Sequence, residues 1–114
     1  MNSAYEDLQN LRRSWRASNP ELKLILSLDG SVLTLHLIEV PVFSRRQGYG
    51  SEIMEELGCI ADRHNLKLVC EPDDSHGTSM EVLEKFYSHY RFAWSVAGLM
   101  IREPAYSDLF ATVN

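Results

Sequence analysis

Seven consecutive residues, Arg45-Arg46-Gln47-Gly48-Tyr49-Gly50-Ser51, have the composition of an anion site. Leu35 to Val40 precede them as an apolar run that reads as a strand. Ile53, Leu57, Ile60, Ala61 and His64 follow, spaced as one face of a helix. Strand, glycine-bearing turn and helix bring unpaired amides and the positive end of a helix dipole to one point. Glycines let the backbone turn tightly and approach a phosphate, and two arginines add full charges and donor forks. The segment predicts a phosphorylated ligand. Ser51 would offer its hydroxyl to a phosphate or cap the helix.

Other candidates are carboxylates and imidazoles. Glu39, His36 and Glu71 fall on or at the ends of the central strands. A group there could take a proton from a nucleophile. Strand alternation sets Glu39 on the face of Leu35 and Leu37, opposite His36. Glu39 is the leading candidate base, and His36 reads as a strand histidine satisfied by a neighbour. Glu71, Asp73 and Asp74 make a negative neighbourhood suited to a cationic partner. His64, His76 and His89 are scattered, and no His, Cys or Asp spacing reads as a metal site. Ser44 and Ser51 lack a partnered base, which argues against a serine nucleophile.

These groups need a scaffold, and 114 residues suffice for one domain with a core, residues 1–114. Ser3 and Glu6 form a capping box ahead of Leu8, Leu11 and Trp15 at helical spacing, with an end near Ala17. Leu22, Leu24, Leu26 and Leu28 alternate with polar residues as a strand, and Asp29-Gly30 signals a hairpin into Val32 to Val40. The helix after the glycine turn ends near His64-Asn65, with Gly58 inside it as a sign of close packing on the sheet. Leu66 to Cys70 is a further strand, parallel to the earlier one because a helix joins them. Thr78 and Glu81 form a second capping box before Met80, Leu83, Phe86, Tyr87 and Tyr90. Phe92 to Val96 and Leu99 to Arg102 read as closing strands around Ala97-Gly98, the second exposed enough to pair between chains in a homodimer. The order predicts an α/β (α+β) domain with a single mixed, mostly antiparallel sheet flanked by helices.

The net charge of −5 disfavours nucleic acid as a partner, although Arg12, Arg13, Arg16, Arg45 and Arg46 could form a local basic mouth. No apolar run is long enough for a membrane span, and the first residues do not read as a signal peptide. Cys59 and Cys70 read as buried free thiols of a reducing compartment, so a cytoplasmic location is expected.

Three features together resemble the GCN5-related N-acetyltransferase (GNAT) superfamily. Ile38-Glu39-Val40, a short link and Arg45-x-x-Gly48-x-Gly50 are similar to the family's strand and pyrophosphate-binding turn. Phe86-Tyr87-Ser88-His89-Tyr90-Arg91-Phe92 is similar to its Tyr-x-x-x-Gly-Phe, with Arg91 in place of the glycine. Met80 and Leu83 also depart from the usual Asn and Ala. The element order from residue 22 to 102 completes the likeness, and the chain looks like the compact phage-encoded members, for which the location would be the host cytoplasm. The resemblance implies acetyl-coenzyme A as donor, an amine acceptor (a protein lysine or N-terminal amine) and direct transfer without a metal. Residues 45 to 51 would hold the pyrophosphate, Ile38 and Val40 would meet the pantetheine arm, and the Val40 amide would polarise the acetyl carbonyl. Tyr87 would be the general acid. A GNAT-shaped binding protein without catalysis is the alternative, with the helix of Leu8, Leu11 and Trp15 as its contact face.

Overall fold

A computed structural model describes residues 2–40 and 48–105. Helix α1 spans Ala4–Ser18, and its start is the expected capping box: the Ser3 hydroxyl accepts from the Glu6 amide, and the Glu6 carboxylate accepts from the Ser3 amide. Strands β1 (Lys23–Asp29) and β2 (Val32–Glu39) pair antiparallel. Asp29 is opposite Val32, so the turn residues are Gly30 and Ser31, one step later than expected, with Gly30 at φ 59°. Helix α2 spans Tyr49–Arg63, and Asn65 at φ 55° carries the left-handed residue that turns the chain into β3 (Lys67–Cys70).

Helix α3 spans Met80–His89. Its cap is Ser79 and not Thr78, because the Ser79 hydroxyl takes the Val82 amide. Strand β4 is only Ala93–Trp94, shorter than expected, because Val96–Gly98 tighten into a 3-10 turn with Ala97 at φ 65°. Strand β5 is Met100–Arg102.

The strand order is β1-β2-β3-β5-β4, with β2 and β3 parallel and the other pairs antiparallel. This is the expected mixed α+β fold. One expectation fails: β5 pairs with β3 on one side and β4 on the other, so Leu99 to Arg102 offers no free edge to a second chain.

One face of the sheet carries the core. Leu24, Leu33, Leu35, Leu68, Cys70 and Met100 are buried there against Ile53, Met54, Leu57 and Ala61 of α2. Leu8, Leu11 and Trp15 of α1 are buried as well, and the Trp15 indole donates to Glu56 at 2.8 Å. These three therefore form no exposed contact face. Cys70 is buried as expected, but Cys59 is a free thiol on the exposed side of α2.

Buried Arg102 explains the glycine in α2. A Cβ on Gly58 would lie 3.1 Å from the Arg102 Nη2. That guanidinium cannot easily give way, since it grips both Asp62 oxygens at 3.0 and 3.1 Å. Asp62 also accepts from the Ala105 amide at 2.8 Å. Burial pushes the Asp62 carboxyl up, but Arg102 and the Ala105 amide outweigh that and hold it below 3.8.

Arg102→Ala should lower stability by about 3 kcal/mol, because it strands a half-buried carboxylate under α2. A native pKa below the unfolded value stabilises the fold above that unfolded value, and the contribution is lost as pH falls through the native one. Urea unfolding should therefore show a larger penalty at pH 7 than at pH 2. Equal penalties would mean that packing alone, and not the ion pair, is lost.

Candidate functional site

Pairing between β2 and β3 runs from Val32–Lys67 to Leu35–Cys70 and goes no further. The same point on β2 is irregular toward β1: Leu26 pairs with Leu35 and Ile25 with Leu37, which leaves His36 as an extra residue, a β-bulge. The bulge bends β2 away from β3 and shifts its alternation. Ile38, opposite buried Leu24, now faces the core with Leu35. Glu39, opposite Lys23, faces away from Leu35, contrary to the sequence expectation, which assumed an unbroken strand.

The two strands enclose a cavity of about 500 Å³ where they part. One wall is β2 from Leu35 to Val40, another is Glu71 and Asp73 after β3, and the third is Thr78, Val82, Leu83, Phe86 and Tyr87 beside α3. Gly50 of α2 closes the base. Residues from both faces of β2 line it, as expected of a strand with no neighbour on that side. Among the described residues its lining contains three carboxylates, Glu39, Glu71 and Asp73, and no lysine or arginine.

Helix α2 begins at Gly48, held at φ 82°, and no described side chain caps it. The first amides of a helix have no partners within it, and the positive end of its dipole lies there. Gly50 is not kept small by backbone strain or by Phe86: a Cβ there would make an ordinary contact of 3.7 Å with the Phe86 ring. Its small size leaves room in the cavity.

Tyr87 is 7% exposed, with its ring packed on Phe86 and Phe92. Its hydroxyl has no hydrogen-bond partner among the described residues, yet it is not a sealed unsatisfied donor, so it opens into the cavity. Burial, and secondarily the neighbouring Cys70 thiol, push its pKa up to about 12. The phenol stays protonated throughout the physiological range.

Of the residues marked in the sequence, Ile38, Glu39, Val40, Gly50 and Tyr87 converge on this cavity. Gly48 lies at the start of α2, outside the lining. Tyr49 turns to α1, where its ring meets Trp15 edge-on at 5.6 Å, and Ser51 does not line the cavity. Arg12, Arg13 and Arg16 of α1 do not line it either. Arg45, Arg46 and Gln47 lie outside the described residues. His36, named among the candidate bases and read as a strand histidine satisfied by a neighbour, lines the cavity, and its Nε2 is 2.8 Å from the Ser27 hydroxyl. Thr78, marked in the sequence ahead of α3, lines it as well, whereas Val82 was not singled out. Among the described residues no cluster of His, Cys, Asp or Glu could hold a metal ion.

The fold is GNAT-like. The chain is similar in structure to the anti-CRISPR protein AcrVA5, with a TM-score of 0.58 and 24% identity over 70% of this chain and 87% of that one. It is also similar to Ard1 from Thermoplasma volcanium, with a TM-score of 0.54 and 18% identity over 85% of this chain and 77% of that one. No family model and no curated protein matches the sequence. No described helix is long and apolar enough to cross a membrane.

Tyr87→Phe should leave stability within about 0.5 kcal/mol of the wild type, because the lost hydroxyl has no hydrogen-bond partner among the described residues. A thermal melt or urea titration checks this. A loss of 1.5 kcal/mol or more would show a structural hydrogen bond and remove Tyr87 from the cavity chemistry.

Proposed function

We propose that the chain is an N-acetyltransferase that moves acetyl from acetyl-coenzyme A to an amine. The observation that carries this reading is the meeting of three features in one cavity: the stretch of β2 beyond its ladder with β3, the first turn of α2 at Gly50, and Tyr87. The α2 amides, with Arg45, Arg46 and Gln47 from the motif, would bind the pyrophosphate. The edge of β2 from Ile38 to Val40 would pair with the amides of the pantetheine arm as another strand does. The Val40 amide would stabilise the oxyanion as the amine nitrogen attacks the thioester carbon.

In that step a C–N bond forms, the C–S bond breaks and sulfur takes the electron pair. Tyr87 would meet the leaving sulfur. Full proton transfer from a phenol near 12 to an ordinary thiolate, whose acid titrates near 8.5, runs uphill by roughly 3.5 units, or ~5 kcal/mol. A hydrogen bond donated to sulfur as charge develops avoids that cost, and solvent can supply the proton afterwards. This refines the general-acid role expected from the sequence.

Glu39, Glu71 and Asp73 favour an acceptor that arrives as a cation, such as a protein lysine or N-terminal amine. Acetyl-coenzyme A is a cytoplasmic metabolite, which agrees with the expected location.

Gly50→Glu should abolish acetyl-coenzyme A binding while keeping the fold. A carboxylate in the first turn suits the helix dipole but occupies the phosphate end of the cavity. Calorimetric titration should find binding for the wild type and none for the variant; equal affinity in a folded variant would overturn the site. Tyr87→Phe should slow transfer more than tenfold at unchanged coenzyme affinity, by stopped assays of thiol release. Unchanged turnover would leave Tyr87 without a catalytic role.

A further inference from the structure

We infer that His36 is the general base of this site, with Ser27 orienting its ring; this rests on the transferase reading. His36 is the extra residue of the bulge and the first residue of β2 beyond the β2–β3 ladder. It therefore sits at the apex of the split, where the reacting carbonyl must lie if a donor runs along the β2 edge. His36 lines the cavity and is exposed, so an incoming amine can reach it. Ser27 of β1 is on the face opposite the core, and its hydroxyl is 2.8 Å from Nε2. With Nε2–H donating to Ser27 Oγ, the lone pair of Nδ1 is free to accept a proton. A backbone bulge and a cross-strand hydrogen bond thus fix one imidazole at the point of reaction.

The other charged groups around it are accounted for. Glu39 lies further along β2, opposite Lys23 of β1, while Glu71 and Asp73 follow β3 and Tyr87 comes from α3. The carboxylates would draw the ammonium form into the cavity. Imidazole is the side chain that most often serves as a general base in enzyme sites. The ammonium gives one proton to Nδ1, which frees the nitrogen lone pair to bond the acetyl carbon, and the second proton on that nitrogen passes to water as the C–S bond breaks. The thiolate leaves beside the Tyr87 hydroxyl, and the imidazolium returns its proton to solvent.

The test is a pH–rate profile with acetyl-coenzyme A and poly-L-lysine, comparing wild type, His36→Gln, Glu39→Gln and His36→Ala with added imidazole. His36→Gln should lower kcat about 100-fold at unchanged coenzyme affinity and remove the acid limb of the profile. Glu39→Gln should keep that limb and raise the KM for polylysine. Imidazole should restore part of the His36→Ala rate, which a purely structural histidine would not allow. Melting curves confirm that the exposed His36 variants fold. An active wild type whose acid limb survives in His36→Gln, or vanishes in Glu39→Gln, overturns the assignment alone. A wild type that neither binds the coenzyme nor acetylates polylysine at any pH overturns the transferase reading and the base with it.

Discussion

The ladder between β2 and β3 ends at Leu35 and Cys70, and the cavity exists because the two strands then part. Parallel strands held in register would have satisfied their own amides and left no room between them. The bulge at His36 gives the parting a local cause, since an extra residue in one strand bends it and increases its twist. Past the ladder, β2 runs along an open cavity, and an extended ligand fits such a strand better than a compact one.

Much of this architecture was legible from residue order. Leu8, Leu11 and Trp15 at helical spacing, Ser3 with Glu6, and the alternating leucines of β1 each carry a period or a cap that belongs to one element type. The parallel relation of β2 and β3 followed from the helix between them. The misses have a common cause. Strand alternation assumes a regular strand, and one extra residue at position 36 reverses the side on which Glu39 lies. A cap placed at Thr78 instead of Ser79, and closing strands drawn too long, are similar local choices between neighbouring polar residues. The convergence of Glu71, Asp73, Val82 and Gly50 on one cavity was not legible, because it depends on the angle between strands. The glycine turn and Tyr87 were visible as motifs, but a motif alone cannot tell that Tyr49 turns toward Trp15.

Arg91, in place of the family glycine, has a structural account. It adopts φ 75°, the left-handed conformation that glycine takes freely and that costs other residues about 1 kcal/mol. Its side chain offsets some of this: Nη2 donates to the Glu103 carbonyl at 3.2 Å, and Nη1 lies 3.9 Å from Asp62. The turn after α3 thus keeps its geometry without the glycine, and Phe92 stays buried against Tyr87.

Asp62 is therefore the point at which three parts of the chain meet: the end of α2, the end of β5 and the turn after α3. Its position explains how α2 can leave its first turn without a side-chain cap. A helix with glycine at its N-cap forgoes only a few tenths of a kcal/mol relative to a serine or aspartate cap. Here the opposite end is held by a bidentate pair, by Gly58 lying close to the Arg102 guanidinium, and by Asp7 of α1, which binds both Arg63 and His64. The Asp7 carboxyl is held below its ordinary range, chiefly by the His64 hydrogen bond and despite some loss of hydration. The polar anchors are thus gathered in the last turns of α2, while Gly50 of its first turn lies at the cavity. Had a serine at position 48 capped the helix, its hydroxyl would have competed with any anion for the same donors.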